Sequence, residues 1–207
     1  MAKVYPNHNN DNEELEIIDI SSKRETLTMW MKSLVMQGNG CTVYNDNGEV
    51  VYRIDNYDDK DSDKVYLMDL KGKVLFTILR KKIWMFRKWE GYKSNINGLD
   101  LIIDKPLFQV TKNCSWVLNL GQEFSCDVAY DNNIEAASHY RLEGSSGTSA
   151  LRITNGKGGL VAEAKRKLSS SGVVLGDDVL SLIIEASVDN ALVMALVVAY
   201  GLVQRKI

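Results

Sequence analysis

Two histidines, His8 and His139, are the first candidates for acid–base work, but neither has a catalytic setting. His8 sits in an Asn-rich leading stretch. His139 shares a strand face with Arg141 and Glu143 and reads as a surface side chain. The glycine–serine runs at 144–147 and 169–172 lack the spacing of a nucleophile elbow and read as turns that a kinase could modify. No HExxH, P-loop or dinucleotide fingerprint occurs. Cys41, Cys114 and Cys126 are an odd set at wide spacing, with no CxxC pair or Cys/His cluster to hold zinc. No catalytic residue, metal or cofactor is therefore expected. With no secretory signal read at the N-terminus, a reducing, cytoplasmic setting is expected for these thiols, and Asn113-Cys114-Ser115 reads as a chance glycosylation pattern.

Charge offers more. The strongest basic run is Arg80-Lys81-Lys82 followed by Arg87-Lys88, with Ile83, Trp84, Met85, Phe86 and Trp89 interleaved. Lys165-Arg166-Lys167 is a second cluster. Cations beside interfacial aromatics could receive an anionic headgroup, so all eight cations are candidate lipid- or anion-binding residues. Numbered along strands, Arg80, Lys82 and Lys88 share one parity, and Lys81 and Arg87 the other. The bland alternative is a solvated strand face over core aromatics. The formal net charge of −2 provides no global field towards polyanions, so nucleic acid is not expected as a partner. The acidic segment 55–63 places Asp59, Asp61 and Asp63 at one, three and five of a calcium loop. Lys64 then falls where the turn needs glycine and Leu70 where a bidentate Glu is needed, so it reads as a solvated turn.

The elements that must position these residues are short. From Thr26 the chain alternates apolar and polar residues between Gly/Asn turns. Val50, Tyr52 and Ile54 share one face, and Asn45-Asp46-Asn47-Gly48 precedes them as a hairpin turn. Strands are expected at 41–44, 49–56, 64–69, 73–81, 83–92, 99–103, 108–111, 115–120, 124–130, 134–143, 150–154, 159–166, 172–175 and 179–186. About a dozen short strands with two prolines in 207 residues point to an antiparallel barrel or sandwich. Residues 1–24 read as a flexible tail and 25–207 as one domain.

Residues 191–203 are the chain's most apolar stretch and lack a polar face, so a helix here must be buried in protein or lipid. A helix over 190–204 would be roughly 22 Å long, short of a bilayer core of about 30 Å. Asp189 or Asn190 could cap its start, and Arg205-Lys206 put cations at its negative end. A helix wrapped by a closed sheet satisfies these constraints and removes free strand edges. No transmembrane span is expected.

Particular stretches carry a resemblance. They include Gly38-Asn39-Gly40-Cys41-Thr42-Val43-Tyr44, the run Gly48-Glu49-Val50-Val51-Tyr52-Arg53-Ile54-Asp55-Asn56-Tyr57, and Leu67-Met68-Asp69. The match continues through Leu79-Arg80-Lys81-Lys82, Trp89-Glu90-Gly91-Tyr92, Glu163-Ala164-Lys165-Arg166-Lys167 and Gly176-Asp177-Asp178-Val179-Leu180. It closes on Val188-Asp189-Asn190-Ala191-Leu192-Val193-Met194-Ala195-Leu196. In order and spacing this resembles the plant LURP-one-related family, a branch of the tubby C-terminal-like superfamily, over about residues 26–204. The resemblance implies a mainly β fold: a closed antiparallel twelve-stranded β-barrel around a central hydrophobic C-terminal α-helix. Its relatives include phosphoinositide-binding tubby and the phospholipid scramblases, and its founding member links the family to pathogen defence.

Together these readings set one functional expectation. It is a noncatalytic binding or signalling barrel, its partner an anionic phospholipid headgroup, a phosphoinositide among them, or an unidentified protein, at the plasma-membrane periphery. The alternatives are a membrane-tethered regulator of transcription, a scramblase-like protein, and an enzyme of unknown class.

Overall fold

Alternating residues between Asx–Gly turns fold here into strands with a buried inward face, as Leu27 and Met29 in one strand and Tyr52 and Ile54 in another show. The computed structural model describes residues 21–30, 40–55, 63–83, 86–94, 105–112, 122–128, 138–144, 151–176 and 179–204. Its strands are β1 (Glu25–Trp30), β2 (Cys41–Tyr44), β3 (Val50–Asp55), β4 (Lys64–Met68), β5 (Val74–Ile83) and β6 (Phe86–Lys93). They continue as β7 (Phe108–Lys112), β8 (Gln122–Val128), β9 (Ser138–Gly144), β10 (Leu151–Asn155), β11 (Leu160–Arg166) and β12 (Val179–Ile184). One helix, α1 (Asn190–Gln204), follows.

Every consecutive pair of strands is antiparallel, and β1 pairs with both β2 and β12, so the order runs β1-β12-β11-β10-β9-β8-β7-β6-β5-β4-β3-β2 around the wall. The expected closed barrel needs one correction, because closure is not uniform. β1–β2 and β3–β4 are held by three residue pairs each, whereas β5–β6 has eight. β2 spans only four residues, which limits its ladder with β1. Separately, the β2–β3 and β4–β5 ladders each shift register near a strand end, between Val43 and Tyr44 and between Leu67 and Met68.

Those shifts follow from a repeated turn. Asn45 N–H donates to the Glu49 carbonyl at 2.9 Å, and the Asn45 side-chain oxygen accepts from Asn47 N and Glu49 N at 3.0 and 2.9 Å. Gly48, at φ 79°, takes the left-handed position this turn requires. Asp69 and Asn155 build the same arrangement between β4–β5 and β10–β11. An Asx side chain four residues before the returning strand therefore sets each hairpin.

Inward side chains such as Met29, Ile54, Phe76, Phe108, Leu142 and Leu182 join the α1 side chains in one core. Every residue from 190 to 201 is buried, so the apolar belt is satisfied by protein. Each fully buried Leu, Val or Met there contributes about 1.5–3 kcal/mol. Asp189 caps the helix: its Oδ1 accepts from Leu192 N at 3.0 Å. Asn190 Nδ2 donates to Glu25 Oε2 at 2.9 Å, tying the helix start to the start of β1. No helix among the described residues is long and apolar enough to cross a membrane.

Other expectations change in detail. β1 precedes the first strand expected from the sequence. The expected strand at 83–92 is split, with Ile83 ending β5 and Phe86 starting β6. Residues 172–175 form no strand, only a bridge between Val174 and Leu168. The expected strands at 99–103 and 115–120, most of the acidic segment, the leading tail through residue 20, Cys114 and Arg205-Lys206 lie outside the described residues.

Candidate functional site

Register decides which cations share a face. The β5–β6 hairpin pairs Arg80 with Trp89, Lys81 with Lys88, Lys82 with Arg87, and Ile83 with Phe86. The expected grouping of Arg80, Lys82 and Lys88 is thereby corrected. A turn of two residues reverses number parity between its strands, so Lys81 and Lys88 share the outer face. Arg80 shares the inward register with Trp89, which is buried in the core rather than placed at an interface, while the side chains of Lys82 and Arg87 lie outside what the structure describes. Arg80 lies beyond that core at the rim, where it pairs with Asp63 at 3.2 Å. Trp84 and Met85 lie outside the described residues.

The outer face holds a network that residue types alone did not single out. Glu90 is buried against the wall. Lys88 Nζ lies 3.0 Å from its Oε1, Tyr92 OH donates to its Oε2 at 2.7 Å, and Gln109 Nε2 lies 3.5 Å away on β7. Burial pushes the Glu90 carboxyl up, but the Tyr92 hydrogen bond and Lys88 outweigh it and hold the group below its usual range. Burial and the Glu90 charge push Tyr92 up to about 12. The signal available in the sequence was the Lys88–Glu90–Tyr92 alternation, which puts three polar groups on one strand face.

The second cluster leaves the end of β11. Lys165 faces outward and pairs with Glu163 at 2.8 Å, Arg166 is exposed opposite Leu180, and Lys167 Nζ donates to Thr28 Oγ1 across β12. Lys167 also borders a shallow outer cleft with Thr28, Trp30, Tyr44, Gly48 and Val179. The two clusters do not merge. β7 to β10 separate them on one side and β1 to β4 on the other. Yet in an antiparallel meander every odd-to-even connection emerges at the same end, so the β5–β6 and β11–β12 connections leave the wall together. The two cationic hairpins thus lie at one end of the fold, on opposite walls.

The sequence profile of the LURP-one-related family matches residues 25–201, which span all twelve strands and most of α1. The chain belongs to the LURP-one-related family. It is 38% identical to LURP-one-related protein 11 of Arabidopsis thaliana, over 98% of this chain and 89% of that protein. It is 37% identical to LURP-one-related protein 3 of the same plant, over 100% of this chain and 94% of that one. An X-ray structure of another Arabidopsis thaliana protein superposes with a TM-score of 0.63 over 90% of this chain and 94% of that chain, at 14% identity. That likeness concerns the fold alone.

In this LURP-one-related chain the remaining candidates stay apart. His139 is exposed on β9, on the face it shares with Arg141 and Glu143, and does not border the Lys167 cleft. Cys41 is a buried core residue whose thiol burial pushes up to about 12. No group of His, Cys, Asp and Glu able to hold a metal occurs among the described residues.

Proposed function

We propose that this LURP-one-related chain is a noncatalytic binding protein that docks on anionic phospholipid headgroups, and so works at the cytoplasmic periphery of the plasma membrane. The observation that carries the reading is the pairing of like charges in the β5–β6 hairpin, Lys81 opposite Lys88 and Lys82 opposite Arg87. Like charges directly opposite each other destabilise a sheet by roughly 0.2–1 kcal/mol per pair. Glu90 offsets part of that repulsion at Lys88, and a phosphate group would offset the rest. The Lys165–Lys167 cluster at the same end supplies a second contact to one plane. Juxtamembrane cations contribute about 1 kcal/mol each near an anionic surface. A role in defence signalling, as the family's founding member suggests, would use this recruitment to place the protein at the membrane.

The test is binding of the full-length protein to neutral phosphatidylcholine vesicles and to vesicles carrying phosphatidylserine or a phosphoinositide, with free inositol phosphate as a competitor. Binding to anionic vesicles only, lowered at least about tenfold in a K81Q/K82Q/R87Q variant of unchanged thermal stability, is expected. Equal binding to neutral vesicles, or no effect of the triple change, would overturn the reading. Inositol phosphate competition separates a headgroup-specific pocket from general surface charge.

A further inference from the structure

Five large apolar side chains are exposed among the described residues: Leu70, Leu168, Val173, Val174 and Leu175. Four of them occupy one connection, between β11 and β12, with exposures from 44% to 63%. Such concentration sets them apart from the isolated apolar side chains that any surface carries. The connection is also ordered by its own hydrogen bonds. Ser169 N donates to the Val173 carbonyl at 2.7 Å, Gly172 N to the Ser169 carbonyl at 2.9 Å, and Ser169 Oγ accepts from Val173 N at 3.1 Å. Gly172 has φ 80°. This is the Asn45 turn rebuilt on a serine, so a small stiff hairpin holds the apolar side chains out from the wall. At its base, Lys167 N donates to the Val179 carbonyl and Leu175 N to the Lys167 carbonyl.

We infer that this hairpin tip, Leu168 with Val173, Val174 and Leu175, is the element that inserts into the acyl boundary of an anionic membrane, while Lys165 and Arg166 beneath it meet the headgroups. The inference rests on the proposed headgroup docking and adds a depth component to it. Three features of the hairpin select a bilayer over a protein partner. The tip is a projection rather than a groove, it follows closely on the exposed cations Lys165 and Arg166, and it leaves the fold at the end that carries the β5–β6 cations. An apolar wedge above a cationic collar matches the depth profile of a lipid interface, with phosphate outermost and hydrocarbon a few ångströms below. The tip is preorganised by its turn, so insertion costs little ordering entropy.

The test uses the full-length protein with Leu168, Val173 and Leu175 changed to Ser, beside K165Q/R166Q and wild type. The expected result is a loss of at least about tenfold in affinity for phosphatidylserine vesicles on truncating the tip, and it persists at high salt. The K165Q/R166Q loss is expected to fade as salt rises. Inositol phosphate binding by the tip variant stays unchanged. If wild type binds anionic vesicles and the tip variant binds equally well, insertion is overturned and headgroup docking survives. If wild type binds neither anionic vesicles nor inositol phosphate, both readings fall. A concentration-dependent dimer of the wild type, lost in the tip variant with vesicle binding unaltered, would assign the tip to a second copy of the chain and overturn insertion.

Discussion

Lys88 and Tyr92 grip the Glu90 carboxylate from two sides, and that grip has a pH signature. Glu90 is held below its ordinary value in the folded chain, so protonation favours the unfolded chain. Its contribution to stability is complete above the ordinary carboxylate range and is lost as pH falls through the depressed folded value. Tyr92 has the opposite sign: raised to about 12, it contributes stability below pH 10 that is lost as pH climbs towards 12. In Glu90→Gln, urea unfolding followed across pH should lose part of the acid-side slope seen in wild type. An identical acid limb in the two proteins would contradict the carboxylate's assignment. These residues were not singled out in the sequence because their spacing says only that they share a strand face. The β6–β7 register that brings Gln109 opposite Glu90 is a tertiary fact. Trp89 was misplaced for a related reason: its neighbours are cations, but its register partner, Arg80, sits on the inward side beyond the core.

At the scale of elements, α1 was the most legible part of the chain. An apolar run of that length with an Asp at its head admits few arrangements, and Asp189 does cap it. Asp189→Ala is expected to cost about 1 kcal/mol in denaturant unfolding. Val197→Asp should abolish cooperative unfolding, because a carboxylate at a fully enclosed helix position costs several kcal/mol against a total of about 5–15 kcal/mol for a domain. A cooperative transition of near wild-type midpoint in Val197→Asp would show that α1 is not core. Hairpins set by Asx–Gly turns were also legible, since Asn45 and Asn155 carry their own hydrogen-bond programme. β1 was not, because its strand identity comes from pairing with β12, which is more than a hundred residues away in sequence. Residues 172–175 read as a strand because Val-Val-Leu favours one. The Ser169 turn instead spends them on a projecting tip.

Over the whole molecule, the proposed membrane docking depends on an arrangement that no local pattern contains. Two basic clusters, separated by about eighty positions in the chain, lie on opposite walls. The meander nonetheless sends both hairpins out at one end, and the apolar tip leaves with them. The eight cations could be picked out by composition, but their pairing with Asp63, Glu90 and Glu163 and their common end could not. The proposed docking is therefore directional, with this end toward the membrane and the opposite end away from it. Hydrogen exchange of the full-length protein, with and without phosphatidylserine vesicles, tests it most directly. The expected result is added protection around Ile83–Phe86 and Leu168–Gly176, with none at the Asn45, Asp69 and Asn155 turns of the far end. Protection at those three turns, with the two cationic hairpins unaffected, would overturn this orientation.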